Sequence, residues 1–154
     1  MRLIIRNNRG FTWIELLVVM VILAIISAVV AGSLMSSDTE LIARTEVIKT
    51  HLRYAQTRSM NSNTVWYIQL SGNSYFLSKK GDGNPILLPG GDSPTITLPS
   101  GMSVTSGTVS FDGLGKPCTD ADAQIAQAAD RTLTVTDGSG SRSIIITKNT
   151  GFIQ

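Results

Sequence analysis

The chain has 154 residues, of which 16% are charged, and its formal net charge is +2. This length suits one folded domain plus an apolar N-terminal segment. Arg2, Arg6 and Arg9 supply three of the 13 basic side chains, leaving ten against 11 acidic ones in the rest of the chain. The body is therefore not basic overall, which argues against a general nucleic-acid-binding domain.

Cys118 and His51 are each the only residue of their type. A single cysteine excludes an intramolecular disulfide and a thiolate metal cluster, and we expect Cys118 to be a packing residue. Any histidine-dependent catalytic site would need His51, which we expect to be solvated among charges on a helix. No nucleophile–base pair is evident. The sequence therefore predicts neither an enzyme nor a bound cofactor.

Residues 16–35 form an apolar run without a charge or a proline. Twenty helical residues span about 30 Å, the hydrocarbon thickness of a bilayer, so this run predicts a membrane-spanning helix. The alternative is a secretory signal peptide cleaved after Val29-Val30-Ala31. Glu15, at the start of the apolar run, and the length of the run both argue against that alternative.

Residues 36–60 predict an amphipathic helix. Asp38, Glu40 and Glu46 fall in its first half and Lys49, Arg53 and Arg58 in its second, an order that suits the helix dipole. Glu40 and Arg44 form an i,i+4 pair. No break separates this segment from the apolar run, so we expect one helix from Phe11 to about Met60, about 75 Å long. The residues expected to pack on a head recur at steps of four and three: Leu41, Thr45, Ile48, Leu52, Ala55 and Ser59.

Residues 61–154 predict an antiparallel β head. Alternating segments separated by tight turns indicate three hairpins and one further strand. The whole chain is therefore predicted to be α+β, with one long helix packed on a sheet. The predicted strands cover residues 64–70 and 74–79, 95–98, 102–105 and 108–112 around Ser106-Gly107, and 131–137 and 142–147 around Gly138-Ser139-Gly140.

Four aspartates could suggest a calcium loop: Asp112, Asp120, Asp122 and Asp130. They lack the alternating spacing and the distal glutamate of such a loop. We expect solvated loop acids and no metal site.

A basic leader that ends in Gly10, followed by FTWIELL and an apolar helix, resembles the class III signal peptide of type IV pilins and pseudopilins. This prepilin-type N-terminal methylation motif implies that prepilin peptidase cleaves after Gly10, removing residues 1–10, and methylates Phe11. It also implies that Glu15 pairs with the N-terminal amine of a neighbouring subunit and sets the register of assembly. Trp13 departs from the usual leucine.

The order of the later segments resembles the GspH/FimT family of minor pseudopilins and minor pilins, which implies a pilin fold. Ser59-Met60 departs from that family pattern, and residues 118–130 look like an insertion. The tail lacks the arginines with which some members bind DNA. The matching positions are Leu52, Ala55, Arg58, Phe111, Gly115, Pro117, Gly151 and Phe152.

The two resemblances imply a structural minor subunit of a type IV pilus or a type II secretion pseudopilus. Its expected partners are prepilin peptidase, other pilins or pseudopilins and the bacterial inner membrane, with the head in the periplasm before assembly. One alternative is a DNA-binding minor pilin, but residues 61–154 carry six basic and seven acidic side chains, so nucleic acid is not expected. Others are a major pilin, which usually has a proline in its membrane helix and often a C-terminal disulfide loop, and a simple exported protein.

Overall fold

The computed structural model describes residues 12–34 and 37–154, without the side chains of 29–34 and 37. The chain divides into two units, residues 1–36 and 37–154. The first contains helix α1, Trp13–Leu34, and the second begins with helix α2, Ser37–Asn61. The predicted single helix includes Phe11, Met35 and Ser36, which lie outside the described residues, so its continuity stays a prediction.

Helix α1 is uncharged after Glu15, as the sequence indicated. Within the described residues, no helix combines the length and the apolarity needed to cross a membrane. The predicted span over residues 16–35, which reaches beyond the described part of α1, is therefore not confirmed.

One antiparallel sheet forms the rest of the second unit. Its strand order is β3-β2-β1-β4-β6-β7, and the short β5 pairs with β4. The predicted α+β architecture is confirmed. The strands are β1 Trp66–Gly72, β2 Ser74–Lys79, β3 Thr95–Thr97, β4 Ser103–Phe111, β5 Pro117–Cys118, β6 Arg131–Thr136 and β7 Ser141–Ile146.

The core lies between α2 and one face of this sheet. All six residues of the predicted helical stripe are buried, which confirms the amphipathic reading of α2. Each large aliphatic side chain buried there contributes about 1.5–3 kcal/mol relative to an exposed one. The sheet supplies the opposing side chains, among them Ile68, Leu70, Val109, Phe111, Leu133, Val135, Ile144 and Ile146.

The first and third predicted hairpins are confirmed as β1–β2 and β6–β7. The second is wrong, because Ser106 and Gly107 lie inside the continuous strand β4. Strand β4 pairs with β1 through Gly107 and with β6 through Val104. The β1–β4 register shifts between Leu70 and Gly72, so the Ser-Gly pair accommodates a β-bulge rather than a turn.

The predicted insertion, residues 118–130, covers part of the sheet face opposite α2. Ser110 alternates with the core residue Phe111 and therefore points away from α2. It is fully buried, and its hydroxyl donates to the carbonyl of Asp120 at 2.5 Å. Gln127 donates to the carbonyl of Ile146 at 3.0 Å. The insertion is thus an integral layer of the head.

Candidate assembly site

Thr12 begins helix α1 as its N-terminal cap. Its hydroxyl accepts a hydrogen bond from the Glu15 N–H at 3.3 Å, and its carbonyl accepts from the N–H groups of Glu15 and Leu16. Glu15 therefore stands in the first helical turn, where the helix dipole favours a carboxylate. The Thr-x-x-Glu spacing is that of a capping box, a signal that the sequence reading missed. Gly10 and Phe11 lie outside the described residues.

The described side chains of α1 are exposed all round. Trp13 is 81% exposed and Ile14 65%, and the exposure continues without an apolar face turned inward. A helix that is apolar on all sides requires lipid or other protein around it. Helix α1 therefore presents a large apolar surface whose one charged side chain is Glu15.

Two side chains of α2 bind the C-terminal tail. Gln56 Nε2 donates to the carbonyl oxygens of Gly115 at 2.9 Å and of Gly151 at 3.1 Å. Arg53 donates to the carbonyl of Ile153 at 2.8 Å. Gly115 and Gly151, the two glycines of the predicted motif, therefore both contact Gln56 of α2. The sequence analysis did not predict a role for Gln56.

The end of α2 packs on the start of β1. The guanidinium of Arg58 lies 4.3 Å from the ring centroid of Trp66, a cation–π distance. Ser59, a departure from the family pattern, is buried, and its hydroxyl accepts from the Trp66 N–H at 2.9 Å. Of the other motif residues, Leu52, Ala55 and Phe111 are buried, whereas Phe152 is 61% exposed.

His51 was expected to be solvated, and this expectation is wrong. It is 4% exposed, with Nδ1 2.9 Å from the Tyr75 hydroxyl and Nε2 3.2 Å from the carbonyl of Pro89. Because a carbonyl only accepts, Nε2 carries the proton and Nδ1 accepts from Tyr75. Burial lowers the pKa of His51 and raises that of Tyr75 to about 12. The loop before β3, which contains Pro89, covers His51. Helical periodicity alone did not predict this burial.

A family model and a solved structure both match this chain. Residues 5–31 match the family described as the prokaryotic N-terminal methylation motif. The crystal structure of the type IV minor pilin FimU from Pseudomonas aeruginosa PAO1, in space group P21, matches with a TM-score of 0.53 at 16% identity. That match covers 76% of this chain and 88% of that one. At this identity the likeness shows the fold alone, and the fold is that of a pilin.

The chain combines a prokaryotic N-terminal methylation motif with a pilin-like fold. The P65 crystal form of FimU matches 71% of this pilin-like chain and 86% of its own, with a TM-score of 0.48 at 16% identity. A sequence comparison with curated proteins found no match.

In the pilin-like head, Asp120 organises the loop of the insertion. Its carboxylate accepts hydrogen bonds from the N–H groups of Gln124, Ile125 and Asp122, and these bonds, that of Gln124 first, lower its pKa. Among the described residues, no group of His, Cys, Asp or Glu side chains could hold a metal ion. Cys118 is buried, as predicted, and burial raises the pKa of its thiol.

Most basic side chains of the pilin-like head have partners. Lys79 lies 3.4 Å from Asp82, and Lys80 lies 3.7 Å from Asp122. The guanidinium of Arg131 donates to the carbonyl of Thr108 at 2.6 Å. These three cations are therefore already engaged by carboxylates or a main-chain carbonyl.

Proposed function

We propose that the chain is a structural minor subunit of a type IV pilus or a type II secretion pseudopilus. Prepilin peptidase cleaves it between Gly10 and Phe11 and methylates Phe11. Before assembly, its N-terminal helix lies in the bacterial inner membrane with the head in the periplasm. After assembly, the same helix lies in the filament core, and the subunit helps to initiate or cap the filament.

The carboxylate of Glu15 carries this proposal. It stands in the first turn of α1, surrounded by exposed apolar side chains. A carboxylate moved into an apolar filament core is costly unless a cation compensates it. The new N-terminal amine of a neighbouring Phe11 supplies that cation and fixes the axial register between the two helices.

Leader cleavage tests the first step. In a Gly10→Leu variant we expect the full-length chain to persist, because prepilin peptidase requires a small residue before the cut. The mass of the purified chain gives the result directly. Normal cleavage of this variant would remove the basis of the proposal.

Filament entry tests the role of the carboxylate. We expect Glu15→Ala to be processed normally and to be missing from sheared filaments. Glu40→Ala removes an exposed acid of α2 and serves as the matched control, which should assemble. Wild-type levels of the Glu15 variant in filaments would show that another feature sets the register.

No structural observation favours the other functions. The engaged cations of the head do not support phosphate binding, and a salt titration of the full chain with duplex DNA would detect it. A major subunit would dominate the protein recovered from sheared filaments.

A further inference from the structure

The outer edge of β7 is only partly paired by the C-terminal tail. Ile145 exchanges two hydrogen bonds with Gln154, its N–H donating at 3.3 Å and its carbonyl accepting at 3.0 Å. The Thr147 N–H donates to the carbonyl of Phe152 at 3.0 Å. The tail therefore acts as a short extra strand along the second half of β7.

The first half of β7 carries main-chain groups directed to the same side. Groups of residues two apart in a strand point the same way, so those of Ser141 and Ser143 follow those of Ile145. Strand β6 pairs with β7 on the opposite side. Within residues 12–34 and 37–154, no main-chain hydrogen bond reaches this edge of Ser141 or Ser143.

A groove of about 330 Å³ runs beside this edge, between β7 and α2. Its charges are compensated, because Lys49 pairs with Glu46 at 2.7 Å and Arg142 pairs with Asp38 at 2.9 Å. Ile42 is 43% exposed and supplies an apolar wall. The groove thus offers an open strand edge and an apolar contact without excess charge.

We propose that β7 accepts an extended segment of a neighbouring subunit's head, which adds a strand along residues 141–144. Alternating main-chain donors and acceptors at strand spacing are matched by another extended main chain. The segment carries an apolar side chain opposite Ile144, pointing toward Ile42. The compensated charges favour this peptide over an anionic lipid or a nucleic acid. The inference rests on the proposed assembly into a filament.

Hydrogen exchange of sheared filaments and of the unassembled full chain in detergent tests the inference. We expect exchange at Ser141 and Ser143 to slow by about tenfold or more on assembly, because paired amides must open before they exchange. Equal exchange in both states would overturn the inference and leave the filament role intact. Slow exchange already in the unassembled chain would also overturn it, because a segment of the same chain would then pair there. A wild-type chain that never enters filaments would refute both proposals.

A proline variant tests the same edge genetically. Ser143→Pro removes the outward N–H and leaves the pairing with β6, a position where edge strands tolerate proline. Ser143→Ala keeps the N–H and is the matched control. We expect the proline variant alone to be depleted in filaments, by about tenfold, as for loss of a strand-addition contact. Equal assembly of a folded Ser143→Pro would overturn the inference, and if that variant does not fold, the exchange measurement decides.

Discussion

The side-chain amide of Gln56, on α2, lies 2.9 Å from the main-chain oxygen of Gly115, in the turn after β4. The same nitrogen lies 3.1 Å from the oxygen of Gly151, in the tail after β7. One donor group therefore ties α2 to two segments that are distant in sequence. This contact holds the Gly115 and Gly151 segments together in the fold.

Gln56→Glu tests this contact. The carboxylate replaces a donor by an acceptor facing carbonyl oxygens, so we expect the free energy of unfolding to fall by about 1–3 kcal/mol at pH 7. The loss should shrink at low pH, because a protonated carboxyl can donate again. Urea denaturation of the full chain in detergent measures both effects. Gln154→Glu makes the same change on an exposed side chain and should be near neutral; equal losses in the two variants would refute the contact's role.

Gly151→Ala tests the close approach at the same point. Gly151 has a φ of 65°, and an added Cβ would overlap the Gly115 oxygen and crowd the Gln56 amide. Gly138 has a φ of 85° with no atom within 4 Å of an added Cβ. Gly138→Ala should therefore lower the free energy of unfolding only by the strain of a left-handed backbone at a non-glycine residue, about 1–2 kcal/mol.

We expect Gly151→Ala to lower the free energy of unfolding by roughly 1–3 kcal/mol more than Gly138→Ala does, because overpacking adds to the strain. Urea denaturation of both variants gives the difference. Equal losses would show that the tail moves away from Gly115 at little cost.

Local sequence patterns predicted the elements that depend on local physics. The stripe from Leu41 to Ser59 has helical spacing, and its burial follows directly from that period. The turns of the β1–β2 and β6–β7 hairpins contain the Gly-rich pairs that reverse a chain. Ser106-Gly107 has the same local composition, yet it lies inside β4, which pairs with β1 at Gly107 and with β6 at Ser103 and Val104. Tertiary pairing overrode the turn signal there.

The contacts that organise the candidate sites were harder to predict because they are non-local. His51 is buried by a loop that begins far along the chain, and Gln56 meets carbonyls nearly 60 and 95 positions away. Neither hydrophobic periodicity nor a local motif predicts contacts between residues so far apart in the sequence. Thr12 is different, because its role could be predicted from the sequence. Thr12 and Glu15, which belong to the prepilin-type motif, also have the Thr-x-x-Glu spacing of a capping box.

His51 makes the stability of the head depend on pH. Burial lowers its pKa below the ordinary 6.5, so the unfolded chain binds the proton more tightly than the folded one. The contribution of His51 to the free energy of unfolding is fully present above pH 6.5. It is lost as the pH falls below that value and stops changing below the pKa of His51 in the folded chain. Protonation would also leave the buried Tyr75 hydroxyl without its acceptor.

Urea denaturation between pH 5 and 7 should therefore show a slope that His51→Gln abolishes, as expected for the chain's single histidine. The pKa values of Asp120 and Asp137 are lowered by hydrogen bonds to their carboxylates, so those groups act at more acidic pH. An unchanged slope in the variant would assign the pH dependence to other groups.

Asp120 should control access to Cys118. The thiol is buried beside the loop that the Asp120 carboxylate holds through three main-chain N–H groups. In Asp120→Ala those bonds are lost, so the loop opens more often, and a charge that helps to raise the pKa of the thiol is removed. We expect the thiol to react with a maleimide about tenfold faster. Asp122→Ala removes a neighbouring acid that makes one long ion pair at 3.7 Å and is the matched control. Equal labelling rates in wild type and Asp120→Ala would show that packing alone, and not the aspartate, keeps the loop closed over Cys118.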